Sequence, residues 1–169
     1  MSRVTEQVEI REACPEEYEA IGDLIVSAYI GYPEVAEDPD YIEELRDVAT
    51  RAAVRPVLVA VDETGTVLGS ATYISGPGPF AESQDEDEAA FRMLAVRPSA
   101  RGRGVGEALT RACIDRARAD GRARIVLFTL PAMTTAHRLY ERLGFERSPE
   151  RDWEFAPGRR LLSYRLALR

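Results

Sequence analysis

The period of the apolar positions changes several times along the chain, and each change marks an element. Val8-Glu9-Ile10-Arg11 alternates apolar and polar residues, which predicts a short edge strand. Cys14-Pro15-Glu16-Glu17 then opens a helix with Pro and acids in its first turn, and Ile21, Leu24, Ile25, Ala28 and Tyr29 give it one apolar face. Gly31, Pro33 and Pro39 interrupt the pattern before a second, more polar helix over 41–52. Val57 to Val61 reads as a fully apolar strand, Asp62-Glu63-Thr64-Gly65 as a hairpin turn, and Val67 to Ser75 as its partner, ended by Gly76-Pro77-Gly78-Pro79. A strand over 89–96 stops at Arg97-Pro98, because proline cannot donate to a ladder. The helical period returns over 105–120, with Val105, Leu109, Ala112, Cys113 and Ala117 inward. Arg124 to Thr129 is another strand, and a helix over 134–143 ends at Gly144. Phe145 opens a strand, and Leu162, Tyr164, Leu166 and Leu168 alternate through the last one. Antiparallel strands followed by a strand-helix-strand-helix unit imply a mixed α/β sheet in one domain over 1–169.

Composition narrows the chemistry. The 169 residues carry 29 acidic and 22 basic side chains, a net charge of −7, and every basic residue is Arg. Without Lys there is no Walker-type phosphate loop, pyridoxal Schiff base or Ser-Lys pair. The acidic balance speaks against nucleic acid, whose binding relies on cationic side chains that displace counterions. Cys14 and Cys113 show no framework spacing and read as reduced core thiols. Met1 to Glu9 lacks an apolar leader and no apolar run approaches the ~20 residues of a membrane span, so a cytoplasmic protein without membrane contact is expected. The single histidine, His137, lies four residues before Glu141 and is expected to pair with it. One His and two distant Cys make no metal site, and no nucleophile elbow is present.

The most informative stretch is Met93-Leu94-Ala95-Val96-Arg97-Pro98-Ser99-Ala100-Arg101-Gly102-Arg103-Gly104-Val105-Gly106, a strand that feeds a glycine-rich turn and then a helix. Unpaired N–H groups at a helix start converge in front of it, and the helix dipole adds about half a positive charge there. Such a turn suits an anion, and glycines let a phosphate approach the backbone. An ordinary helix entry with glycines for tight packing is the other reading. The dinucleotide fingerprint G-x-G-x-x-G does not fit, since Gly102, Gly104 and Gly106 are spaced two and two.

Leu94-Ala95-Val96 followed by Arg101 to Gly106 as R-x-x-G-x-G, with Leu139-Tyr140-Glu141-Arg142-Leu143-Gly144-Phe145 as L-Y-x-x-x-G-F, resembles the GNAT superfamily of acetyl-CoA-dependent N-acetyltransferases. The resemblance is closest over 91–145 and is one of pattern outside it. It implies the acyl-CoA N-acyltransferase fold, with acetyl-CoA as co-substrate and no metal. The backbone of Leu94, Ala95 and Val96 would hold the pantetheine arm like an added strand. The N–H groups of Arg101, Gly102, Arg103, Gly104, Val105 and Gly106 would hold the pyrophosphate. A strand N–H near Leu94 would steady the oxyanion. Tyr140 matches the family tyrosine that protonates the departing thiolate.

The histone-modifying branch places a Glu where this chain has Ala90; Glu88, two residues earlier and on the same strand face, is the candidate base. Met133 stands where many members carry Asn as a cofactor contact. The acceptor is expected to be a small-molecule or protein amine, with nucleic acid excluded and a homodimer as the default assembly. A catalytically inert acyl-CoA-binding module is the rival reading. By the same resemblance the loop between the first two helices, Tyr29 to Asp40, and the segment Arg151-Asp152-Trp153-Glu154-Phe155 would shape the acceptor pocket, where Trp153 would either wall an acceptor site or anchor a hairpin. The run Glu82 to Glu88, five acids in seven residues, would steer a cationic acceptor or be a solvated loop.

Overall fold

The computed structural model describes residues 8–82 and 84–169; Met1 to Gln7, within the stretch read for a leader, and Ser83 of the acidic run lie outside the described residues. Two compact units emerge, one holding residues up to Tyr73 together with Met93–Ala112, the other Ile74–Arg92 with Cys113–Arg169.

In the first unit β1 (Glu9–Glu12), β2 (Val57–Val61) and β3 (Val67–Ile74) are consecutive antiparallel neighbours, and β4 (Glu88–Val96) follows β3. All five residues of β2 are buried, as its unbroken apolar run implies. Helix α1 (Tyr18–Tyr29) is preceded by a 3-10 turn at Pro15–Glu17, where the Glu17 carboxylate accepts from the Cys14 N–H and from Arg11. Cys14 is exposed and only Cys113 is a core thiol, because Cys14 stands outside the helix as its cap.

A short unexpected turn of helix, α2 (Pro33–Ala36), precedes the second expected helix, which over 41–52 is two pieces, α3 (Pro39–Arg46) and α4 (Val48–Ala52). Asp47 leaves helical geometry between the last two, and its carboxylate caps α4 through the Thr50 N–H at 3.2 Å. Arg51, fully buried, donates to the carbonyls of Glu44 and Leu45 and places its charge at the C-terminal end of α3.

Gly22 permits α1 and α3 to touch: a Cβ there would stand 2.6 Å from the Arg46 carbonyl oxygen. Overpacking against backbone costs about 1–3 kcal/mol, against a helix-propensity gain of at most about 1 kcal/mol. Gly22→Ala is therefore expected to lower the melting temperature by several degrees; an unchanged or higher value would contradict this close approach.

In the second unit β4 pairs in parallel with β5 (Arg124–Thr129), from Glu88↔Arg124 to Ala90↔Val126. β5 pairs antiparallel with β8 (Arg159–Ala167), which also carries β6 (Glu146–Arg147) and β7 (Trp153–Ala156). Helix α5 (Val105–Ala119) runs from the first unit into the second, and α6 (Thr134–Arg142) ends before Gly144 at φ 95°, the left-handed position its glycine was expected to take. Among the described residues no helix is long and apolar enough to cross a membrane.

Candidate functional site

The residues expected to hold the coenzyme lie together in the first unit. β4 is a regular strand up to Arg92 and then kinks, because Met93 adopts φ 59°. A side chain in the left-handed region costs roughly 1–2 kcal/mol and persists only where its surroundings impose it. Nothing in the identity of a methionine signals such a kink. Arg97 N–H returns to the Leu68 carbonyl at 2.7 Å, and the chain turns through Pro98–Ala100. Gly102 and Gly104 take φ 76° and 79°, conformations that favour glycine, and Arg101 to Gly104 are exposed. Neither glycine has a heavy atom within 4 Å of where a Cβ would stand, so the turn is open on that side. Packing is therefore not what these glycines serve, and the ordinary helix-entry reading weakens. Helix α5 begins at Val105, and the amides of its first turn lack intrahelical acceptors by geometry. The turn thus has the dipole, the open backbone and two neighbouring arginines that a diphosphate needs.

Close packing appears instead at Gly69, where a Cβ would lie 2.9 Å from the Ala95 oxygen and from a Val105 methyl. That contact presses β3 against the strand and the start of α5. Tyr29, at the end of α1, donates its hydroxyl to the Leu94 carbonyl at 2.9 Å. Glu34 in α2 has a buried Oε2 with no hydrogen-bond partner among the described residues. Both lie in the Tyr29 to Asp40 segment that the resemblance assigns to the acceptor pocket, but neither is marked individually in sequence, since Tyr29 reads as part of an apolar face and Glu34 as one acid among many.

Tyr140 and Glu88 lie in the second unit, and no hydrogen bond joins them. Tyr140 is 5% exposed and packed edge-on against Phe91 at 5.9 Å, with Phe145 at 5.8 Å and Tyr164 at 6.0 Å between ring centroids. Burial raises the affinity of its phenol for the proton well above the ordinary value, helped by Cys113 and Tyr164, so it is neutral at physiological pH. A neutral phenol is a donor in waiting.

Glu88 has a different setting. Its side chain is 1% exposed, and Oε2 accepts from Arg151 at 2.7 Å and Arg124 at 3.1 Å while Oε1 accepts from the Asp85 N–H at 2.9 Å. Burial by itself raises its proton affinity, but the two guanidinium groups and the amide reverse that and hold the carboxylate below its usual range. The alternation that placed Glu88 and Ala90 on one face is consistent with Ala90 packing on Ile74 and Val126, while Phe91 turns to Tyr140.

The acidic run is solvated in its middle, where Asp85, Glu86 and Asp87 are exposed, and tied down at its ends. Glu82 pairs with Arg92 at 2.9 Å and Asp87 with Arg124 at 3.0 Å, so with Glu88 three of its five carboxylates already face arginines. His137 does not pair with Glu141. Its Nε2 lies 3.0 Å from the Leu130 carbonyl and its ring rests on Tyr164, while Glu141 accepts a long bond from the Tyr164 hydroxyl. The hairpin of β7 and β8 is anchored by Asp152, which accepts from Arg147, Arg160 and the Ser163 N–H and is pulled down to a pKa of about 2, chiefly by Arg147. Trp153 beside it opens β7 opposite Leu161 of β8 and is 45% exposed. Among the described residues no group of His, Cys, Asp and Glu is arranged to hold a metal ion.

Comparison with known proteins agrees with this architecture. The L-methionine sulfoximine/L-methionine sulfone acetyltransferase of Pseudomonas aeruginosa is 37% identical over 91 residues, 54% of this chain and 51% of that protein, so the match spans about half of each. YncA of Salmonella typhimurium, solved with its cofactor acetyl-CoA, aligns with a TM-score of 0.71 and 25% identity over 96% of this chain and 94% of that one. An N-acetyltransferase from Staphylococcus aureus Mu50 aligns at 0.73, also at 25% identity, over 96% and 99%. The model of the acetyltransferase (GNAT) family matches residues 18–145, which contain the β4 kink, the glycine turn and Tyr140. With that match the chain belongs to the GNAT acetyltransferase family.

Proposed function

We propose that the protein is an acetyl-CoA-dependent N-acetyltransferase that passes the acetyl group directly to a primary amine. The observation that carries this reading is one continuous stretch of the first unit: the Met93 kink, the Leu94–Val96 segment and the turn at Gly102 and Gly104. The segment Leu94, Ala95 and Val96 receives the pantetheine arm along one edge, through the backbone groups of Leu94 and Val96, and Arg101, Gly102, Arg103, Gly104, Val105 and Gly106 receive the pyrophosphate.

Acetyl-CoA supplies an activated acetyl thioester. The amine nitrogen forms the new bond to the carbonyl carbon, the Leu94 N–H steadies the oxyanion, the C–S bond breaks, and Tyr140 gives its proton to the departing thiolate. Glu88, committed to Arg124 and Arg151, serves as an anchor in this reading, and the amine proton leaves through water. Glu34, with its buried and unpartnered carboxylate oxygen, is the acid of the first unit suited to attract the acceptor's ammonium. The P. aeruginosa relative is named for small amino-acid-like acceptors, which supports a small amine as the first class to test.

The test follows free thiol released from acetyl-CoA with pooled primary amines, each active pool then being resolved into its members. Amine-dependent release is expected. Thermal stabilisation by acetyl-CoA with no release from any pool would instead identify an inert binding module, and neither response would remove the coenzyme assignment.

A further inference from the structure

The backbone of β4 beyond Met93 presents two different edges. Arg97 donates its N–H to Leu68, and the Ala95 oxygen lies beside Gly69, so both residues turn their polar groups toward β3. Backbone groups alternate between the edges of a strand, so Leu94 and Val96 aim theirs the other way. On that edge the Tyr29 hydroxyl already donates to the Leu94 carbonyl at 2.9 Å. Helix α1 thereby satisfies the acceptor of Leu94, and an extended ligand laid along this edge meets Leu94 as a donor. The same bond fixes the Leu94–Ala95 peptide, so Leu94 is held at its carbonyl end, one link beyond Met93, whose φ of 59° a methionine does not hold unaided.

We infer that Tyr29 is a positioning residue for acetyl transfer: by holding the Leu94 carbonyl it sets the direction of the Leu94 N–H that faces the thioester oxygen. This inference rests on the acetyl-transfer reading above. Its chemical basis is that an oxyanion donor contributes only when its direction is set before reaction, with no reorganisation left to do in the transition state. Tyr29 itself touches neither acetyl group nor amine in this account.

Tyr29→Phe in the full chain removes the hydroxyl and keeps the ring. With an amine that the wild type acetylates, kcat is expected to fall about tenfold, the equivalent of about 1.4 kcal/mol in the barrier, while KM for acetyl-CoA stays within about twofold. An independent readout is the ¹⁵N resonance of Ala95, whose nitrogen is bonded to the Leu94 carbonyl carbon. It should move in Tyr29→Phe while that of Val59 in β2 stays in place. A kcat within about twofold of wild type, or an unmoved Ala95 resonance, overturns the inference. So does a KM that rises in step with an unchanged kcat, because the loss is then in binding. A wild type that releases thiol with no amine overturns the acetyl-transfer reading itself, and it is distinguished from the other outcomes by the wild-type control.

Discussion

Tyr140→Phe is expected to lower kcat by about a hundredfold and to leave KM for acetyl-CoA within about twofold. The magnitude follows from the range of about 10²–10⁴ for a positioned proton donor, taken at its low end because a thiolate of pKa ~8.5 is a tolerable leaving group even without help. Packing does not confound the result. The contacts of Tyr140 with Phe91, Phe145 and Tyr164 are made by its ring, which phenylalanine keeps, so the melting temperature should hardly change. The buried phenol also keeps its proton further into the alkaline range than a solvated one. The wild-type rate should therefore show no alkaline decline near pH 10, where an exposed tyrosine ionises. Steady-state kinetics across amine and acetyl-CoA concentrations decide the matter, and a kcat within about twofold of wild type would exclude Tyr140 as the donor.

The second large effect is on stability. Glu88→Gln keeps the shape but removes the charge that Arg124 and Arg151 share. Removing one side of a fully buried ion pair costs roughly 3–5 kcal/mol; Arg124 and Arg151 keep 34% and 21% of their side chains in water, which screens the loss to about 2 kcal/mol. For a chain of this size that is on the order of 5 °C in melting temperature. The three segments joined at Glu88 are the end of the acidic run, the start of β5 and the turn at Pro149–Arg151 that leads to Trp153.

The pH dependence has a definite sign. A carboxylate whose folded pKa is depressed contributes fully above its unfolded value of ~4.3, and the contribution is lost as pH falls through the lower folded value. Acid unfolding of the wild type should therefore be steeper below pH 4 than that of Glu88→Gln. A general base would behave otherwise: its loss would depress kcat and flatten the acid limb of the rate profile while leaving the melting temperature alone. Thermal melts and a rate profile on the same variant separate the two roles.

The contrast between these two residues shows how far a chain can be read without its fold. Tyr140 was legible because its neighbours form a compact local motif, and the helix over 134–142 puts it on the buried face automatically. Glu88 was legible as a strand residue on the face of Ala90 but not as an anchor, because Arg124 and Arg151 are 36 and 63 positions away. The pairing of Glu82 with Arg92, ten positions on, was hidden too, because it spans the turn between the acidic run and β4 and follows no helical or strand period. His137 failed for the opposite reason. A local partner, Glu141, was available by helical spacing, but the ring is instead taken up by the Leu130 carbonyl and the Tyr164 ring. Helix 41–52 broke at Asp47 because a side-chain cap to Thr50 competes with one more turn of helix, a contest that apolar periodicity does not report.

What the residue order determined by itself depends on short-range geometry: most strands and helices from their apolar periods, the glycine-rich turn that feeds the helix at Val105, and the place of Tyr140 in its helix. What only the tertiary structure decided depends on groups far apart in the chain: the kink at Met93, the hold of Tyr29 on the Leu94 carbonyl, and the ionic partners of Glu88. The physical reason is range. Backbone propensities and periodic burial act over a few residues and are written in neighbouring letters, whereas strain, buried charge and oriented hydrogen bonds persist only when distant segments supply the compensating contact.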